Sequence, residues 1–163
     1  MTIAALVLSL LALSCGGAPE SNEEAGATEN LCPITVPDGA FTPPAGYPPL
    51  PSTSDSRNDV WFGSDALWTV LPTDGQYEAR KSVWWSVQFP GGAIEEQPPV
   101  SVTWTRLDGA GNPMTHSHDV GTNAYTPVDG WFMISGIDPD EPGCWQVDAS
   151  YKGASLTYVY ERT

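Results

Sequence analysis

The sequence predicts an all-β domain, an immunoglobulin-like antiparallel β-sandwich with a proline-rich N-terminal collar. The chain of 163 residues contains 16 Pro and 16 Gly, which interrupt it too often for long helices. Short runs rich in β-branched and aromatic residues recur between turn signals, as in a sandwich. Hydrophobic residues make up 40% of the chain and include seven Trp, so one core can form.

The first fifteen residues have the pattern of a bacterial lipoprotein leader. Residues 3–13 form one apolar run, shorter than the roughly 20 residues that cross a bilayer as a helix but typical of a signal peptide. The run ends in Leu-Ala-Leu-Ser-Cys, which is similar to the bacterial lipobox. We therefore expect residues 1–14 to be cleaved and Cys15 to carry the lipid. No Lys or Arg precedes the run, so an ordinary secretory leader remains the alternative.

Residues 15–30 are predicted to be the lipidated Cys15 and a disordered acidic tether. Residues 16–30 contain four Glu and no Lys, Arg or aromatic residue, so they bury too little surface to offset the entropy lost on ordering. A flexible coil of this length spans about 20 Å. The remaining residues, 31–163, are assigned to the sandwich domain.

The collar is predicted at residues 32–51, which contain seven Pro. Proline favours extended geometry and is tolerated at sheet edges, so we expect this segment to lie along a surface of the domain. It could also supply a seventh strand.

Six strands are predicted downstream of the collar from runs of apolar residues and from alternation of apolar with polar residues. The final hairpin is the best defined, because Lys152 and Gly153 separate two alternating segments. The predicted strands are 67–71, 83–89, 100–105, 131–137, 145–151 and 156–160.

The chain has three cysteines, so assigning Cys15 to the lipid leaves one pairing. Two thiols in an oxidising compartment are expected to form a disulfide. We predict a Cys32–Cys144 bond that attaches the collar to the sheet containing residues 145–151.

The charge balance restricts the partners. Twenty acidic and six basic residues give a net charge of −14, which opposes contact with nucleic-acid phosphates. The same charge is repelled by an anionic membrane, so attachment requires the anchor at Cys15. The expected partners are the membrane, through this anchor, and a surface protein or polysaccharide, with no nucleic acid.

Several segments together resemble a widespread family of uncharacterised bacterial lipoproteins. They are residues 32–37 (CPITVP), 62–72 (FGSDALWTVLP), 84–85 (WW), 142–147 (PGCWQV) and 155–159 (SLTYV). The resemblance implies a lipid-anchored extracytoplasmic β domain in the cell envelope and supports the cysteine pairing. It supplies no catalytic residues.

A weak candidate metal site lies at His116, His118 and Asp119. In an extended segment, residues two apart project to the same side, so both imidazoles could reach one ion. The alternative, which we favour, is an exposed polar loop.

No catalytic or cofactor-binding motif is present in the sequence, so neither an enzyme nor a cofactor is expected. Asp138, Asp140 and Glu141 could offer oxygens to calcium, but a solvated turn is the favoured interpretation. A non-enzymatic domain is also expected to lack a buried cluster of titratable groups.

The tryptophans provide the main candidate binding residues. Trp84 and Trp85 are adjacent in a predicted strand, so their side chains should point to opposite faces. One then fills the core, and the other is either covered by the collar or exposed beside Trp61 or Trp131. An exposed pair would form an apolar platform that stacks on sugars or holds a protein partner.

The leading hypothesis is therefore a lipid-anchored envelope protein with a non-enzymatic binding or structural sandwich. A carbohydrate- or substrate-binding module that uses exposed Trp is the alternative. A metal-binding protein that uses His116 and His118 is a third, weaker hypothesis.

Overall fold

The computed structural model describes residues 32–38, 41–47, 59–75, 77, 81–109, 115–118 and 121–163, with only the backbone of 115–118. In these ranges the chain forms nine strands and no helix. The leader, Cys15 and the tether lie outside the described residues. The strands are β1 (Asp59–Gly63), β2 (Trp68–Pro72), β3 (Lys81–Trp84), β4 (Ser101–Arg106), β5 (Thr115–His118), β6 (Thr122–Thr126), β7 (Gly130–Ile137), β8 (Gly143–Tyr151) and β9 (Ala154–Arg162).

All strand pairs are antiparallel and fall into two layers. One layer contains the β3-β7-β6 sheet, extended by the β1-β2 hairpin through a bridge between Trp68 and Trp85. Each of these two residues donates its backbone N–H to the carbonyl of the other, at 3.0 and 2.9 Å. The other layer is the β5-β4-β8-β9 sheet. The predicted all-β sandwich is confirmed.

The main core lies between the two layers. Trp84 and Met133 face into it from the first layer, and Trp104, Trp145 and Tyr158 from the second. The alternation predicted for the last two strands is confirmed, since Trp145, Val147, Ala149 and Tyr151 of β8 are all buried. This hairpin has the longest register among the described strand pairs, nine residue pairs from Gly143–Arg162 to Tyr151–Ala154.

A second apolar cluster occupies the outer face of the first layer. It contains Trp61, Trp68, Val70, Trp85 and Phe132. Since the main core lies on the inner face, the first layer is apolar on both sides. This explains why every residue of β2 is buried.

The collar covers this outer cluster. The ring of Phe41 lies 5.8 Å from that of Trp68, and the ring of Tyr47 packs edge-on against Trp68 at 5.1 Å. Aromatic pairs at such distances contribute beyond simple burial of area. Of the two alternatives for Trp85, the covered one is correct.

The N-terminal end of the collar runs beside β9. The Thr35 N–H donates to the Val159 carbonyl at 2.8 Å, and the Val159 N–H donates to Thr35 Oγ1 at 2.9 Å. Cys32 and Cys144 form a disulfide with their Cα atoms 5.5 Å apart. The described part of the collar forms no strand. Its prolines lack the N–H groups that a ladder requires, and residues 44–47 form a turn in which the Tyr47 N–H donates to the Pro44 carbonyl at 3.4 Å.

Three strands were not predicted by the sequence pattern: β1, β5 and β6. The sequences of β5 and β6, THSH and TNAYT, lack apolar alternation, so their pairing with β4 and β7 is determined by the tertiary structure.

The predicted strand 83–89 is also corrected, because β3 ends at Trp84. Beyond it, the N–H groups of Gln88 and Phe89 donate to the side chain and carbonyl of Ser86, which begins a turn.

Replacing both Cys32 and Cys144 by Ala is expected to destabilise the domain by roughly 4 to 5 kcal/mol. The bond spans 112 residues, and closing so long a loop removes much entropy from the unfolded chain. Urea unfolding at pH 7, with Cys15→Ser in both proteins to prevent mispairing, measures the difference. A loss below about 1 kcal/mol would contradict the expected role of the bond.

Candidate functional site

An open groove of about 360 Å³ lies at one end of the sandwich. Three separate segments line it: residues 46–47 of the collar, residues 89–91 of the β3–β4 loop, and residues 127–131 at the β6–β7 turn. Such convergence of loops at one end of a rigid scaffold is typical of binding sites.

The groove lies far from the disulfide. Cys144 is near the start of β8 and Tyr151 at its end, a separation of about 23 Å along the strand. At the Tyr151 end, the ring of Phe89 lies 6.4 Å from that of Tyr151, and Lys152 Nζ donates to the Gln88 carbonyl at 3.2 Å. The collar therefore begins at one end of the domain and reaches the groove at the other.

An exposed aromatic pair lies at the rim of the groove, where Trp131 is part of the lining and Tyr125 lies beside it. Trp131 and Tyr125 are direct cross-strand partners on β7 and β6, with ring centroids 5.2 Å apart and planes inclined by 53°. Trp131 is 38% exposed and Tyr125 is 57% exposed. The pair is a two-ring surface at an angle rather than a coplanar platform.

The indole of Trp131 is supported by a glycine pair in the β3–β4 loop. A Cβ on Gly91 would lie 2.9 Å from indole Cδ1, and one on Gly92 would overlap both Trp131 and Asn123. Gly91 also has φ of +94°, a conformation that side-chain-bearing residues rarely adopt. Only glycine lets this backbone approach the ring so closely.

The β6–β7 turn is held by its own hydrogen bonds. Thr126 Oγ1 donates to Asp129 Oδ2 at 2.7 Å and accepts the Asp129 N–H at 2.8 Å. Gly130, with φ of +69°, completes a three-residue hairpin loop. Trp131 follows directly, so the turn fixes the start of the strand that carries the indole.

Glu95 fastens the β3–β4 loop to the opposite sheet. Its Oε2 accepts a hydrogen bond from Tyr151 and an ion-paired one from Lys152, both at 2.7 Å. Asn123 Nδ2 donates to the carbonyls of Glu95 and Glu96 on the same loop. Burial by itself raises the pKa of the Glu95 carboxyl. The hydrogen bonds from Lys152 and Tyr151, together with the Lys152 charge, lower the pKa by more than burial raises it, so the pKa lies below the ordinary glutamate value.

The collar wall of the groove is positioned by Tyr47. Its hydroxyl donates to the Ser86 carbonyl at 3.2 Å, at the start of the β3–β4 loop. Burial raises the pKa of this phenol, so it stays a neutral donor at physiological pH.

The lining residues carry little accessible charge. In the part of the chain that the structure describes, Asp129 is the one acidic side chain in the lining, and the lining contains no Lys, Arg or His. Asp129 is only 2% exposed and is bonded within its own turn. The groove can therefore stack against an apolar face and exchange neutral hydrogen bonds, with no acid–base pair among its lining residues.

Three of the four tryptophans named from the sequence do not reach the surface. Trp61, Trp84 and Trp85 are 5%, 0% and 1% exposed, because the first layer is packed on both faces. Trp84 lies in the main core, whereas Trp61 and Trp85 lie 4.8 Å apart in the outer cluster. Trp131 remains at the surface, with Tyr125 rather than another Trp beside it.

The candidate metal residues are only partly described. The backbones of His116 and His118 belong to β5, opposite Trp104 and Val102, so the favoured interpretation of this segment as a loop is wrong. Their side chains lie outside the described residues, as does Asp119. Among the side chains that the structure does describe, no group of three or more His, Cys, Asp and Glu is placed to hold a metal.

A buried polar cluster corrects two expectations. Asp138 is not part of a solvated turn but is buried, and it accepts hydrogen bonds from Ser82 Oγ and from Trp104 Nε1, the latter at 3.2 Å. Tyr158 and Tyr160 are also buried, and desolvation raises their pKa, with the Asp138 charge contributing. The interior therefore does contain clustered titratable groups, from β9 and from the residue after β7, and Asp138 is bonded to β3 and β4.

No family model, curated protein or solved structure matches this chain. Within the described ranges, no helix is long and apolar enough to cross a bilayer.

Replacing Glu95 by Gln is expected to weaken the loop in a pH-dependent way. A carboxyl whose pKa is lower in the folded than in the unfolded state stabilises the fold fully at pH values above its unfolded-state pKa. This stabilisation is lost as the pH falls through the pKa of the folded state. The variant should therefore be less stable than wild type at pH 7, by about 0.5 to 1 kcal/mol, and the difference should disappear below the ordinary glutamate range.

Urea unfolding of both proteins at pH 7 and pH 3 measures this difference. Glu96→Gln on the same loop is the matched control. A Glu95→Gln effect that is equal at both pH values would show that the ion pair with Lys152 does not contribute.

Proposed function

We propose that this protein is a lipid-anchored envelope protein, held on the extracytoplasmic side of a bacterial membrane, whose β-sandwich binds a ligand without catalysis in the groove beside Trp131. One observation carries the proposal. Trp131 and Tyr125 form an exposed aromatic rim on a groove whose three walls are each fixed by specific contacts.

The cysteine pairing supports the lipid anchor. Cys32 and Cys144 are bonded to each other, so Cys15 is the one cysteine of three left for another role. It directly follows an apolar run of signal-peptide length. An acyl anchor also holds an acidic protein to a membrane surface that its charge of −14 would otherwise avoid.

The construction of the groove supports binding. Its walls come from segments that are distant in the sequence, held by the collar–Ser86 bond, by the Glu95 cluster and by the Thr126–Asp129 turn. A prearranged wall loses little conformational entropy when a ligand binds. Exposed aromatic area on such a rigid frame is a common feature of recognition surfaces.

Replacing Cys15 by Ser is expected to move the protein from the membrane fraction to the soluble extracytoplasmic fraction. The acyl chains supply the membrane affinity, and the hydroxyl cannot be lipidated through a thioether. Fractionation of cells expressing each form, with mass spectrometry of the N-terminus, measures the outcome. A wild-type protein without acyl chains on Cys15 would remove the anchor from the proposal.

Replacing Trp131 by Ala is expected to abolish small-molecule binding at the groove, because the indole provides its exposed apolar face. Ligand-observed NMR with a fragment set of mixed chemistry measures this without assuming a ligand class. Ile137→Ala is the matched control, since Ile137 is exposed at the opposite end of the same strand. Fragments that bind wild type and Trp131→Ala equally would remove the groove from the proposal.

A further inference from the structure

We infer, building on the proposed function, that the ligand of the groove is an uncharged sugar ring of a polysaccharide, stacked on Trp131 and bordered by Tyr125. The inference rests on three features of the described residues: one supported indole face, a lining without accessible charge, and a hydroxyl-bearing ring at the rim. Each feature restricts the ligand in a different way.

The supported indole favours a flat, weakly polarised partner. Gly91 and Gly92 lie against Trp131, and this residue still keeps 38% of its surface exposed for a ligand. One face of a pyranose presents C–H groups with partial positive charge, and these complement the negative face of an aromatic ring. Since the glycine loop is held by Asn123 and Glu95, the indole needs little reorganisation to receive the ring.

The electrostatics of the groove exclude charged sugars. A carboxylate or sulfate on a ligand requires a nearby cation, and there is none among the described residues that line the groove. Lys152, the cation on the adjacent turn, is ion-paired with Glu95 at 2.7 Å. An anionic ligand would also be repelled by the net charge of −14.

A cationic sugar is disfavoured for a separate reason. Its ammonium group would need an accessible carboxylate, but Asp129 is buried and bonded to Thr126. The remaining lining is apolar, aromatic or backbone, which matches hydroxyl groups better than charges.

Tyr125 supplies the polar part of the surface. Its ring is more than half exposed and is inclined by 53° to the indole, so the two rings form two sides of a corner. A sugar stacked on Trp131 then has its edge towards Tyr125, whose hydroxyl can donate to or accept from a ring hydroxyl. A purely apolar ligand would gain nothing from this group.

Binding to polysaccharides tests the ligand class. The full-length lipidated protein is used in a detergent without a sugar headgroup, so that the detergent does not compete. The neutral probes are cellulose, xylan, mannan, chitin, starch and β-1,3-glucan; alginate and pectate are the anionic probes, and chitosan is the cationic one. We expect at least one neutral polysaccharide to retain the protein and the charged ones not to.

Four variants test whether this binding occurs at the groove. Trp131→Ala and Tyr125→Ala should each weaken retention at least tenfold, Trp131→Tyr should restore part of it, and Ile137→Ala should leave it unchanged. Thermal unfolding of each variant shows that the fold is intact. A neutral polysaccharide retained equally by Trp131→Ala would overturn the inference.

The remaining outcomes separate this inference from the proposed function. Preference for alginate, pectate or chitosan, or retention by none of the neutral probes, would overturn the sugar assignment. If fragments still bind in a Trp131-dependent way, the groove remains the binding site. If fragment binding does not depend on Trp131, both proposals fail together.

Discussion

The structure depends on the alternation of side chains at Trp84, the last residue of β3, and Trp85, which directly follows it and bridges to Trp68. Because consecutive residues of a strand point to opposite faces, one indole enters the main core and the other enters the outer cluster. Both are almost completely buried, so the first layer must be covered on both sides. A single sheet-on-sheet core could not satisfy this requirement, and the collar supplies the missing cover.

The collar therefore both completes the packing and shapes the candidate site. Its disulfide fixes it at one end of the domain, and the aromatic contacts of Phe41 and Tyr47 bring it across the outer cluster. Tyr47 then forms one wall of the groove through its bond to Ser86. The segment that completes the hydrophobic packing thus also shapes the candidate site, which couples the stability of the fold to the geometry of the groove.

The candidate site leaves aromatic rings exposed, whereas the interior buries its aromatic and charged groups. The interior buries Trp104 and Asp138 with a hydrogen bond between them, as buried polar groups require. At the groove, Trp131 and Tyr125 keep exposed area although the flanking contacts are well ordered. Exposing apolar rings costs hydrophobic stabilisation, and a ligand that covers them recovers it.

The sequence alone determined the all-β class, the Cys32–Cys144 pairing and the last hairpin, because composition, cysteine count and local alternation are properties of the chain itself. It also required Trp84 and Trp85 to face opposite ways. It did not determine which tryptophan stays exposed, the pairing of the polar strand β6, or the place of Tyr125 beside Trp131. These depend on contacts between distant segments, and only the tertiary structure decides them, because burial and register are set by what packs against each strand.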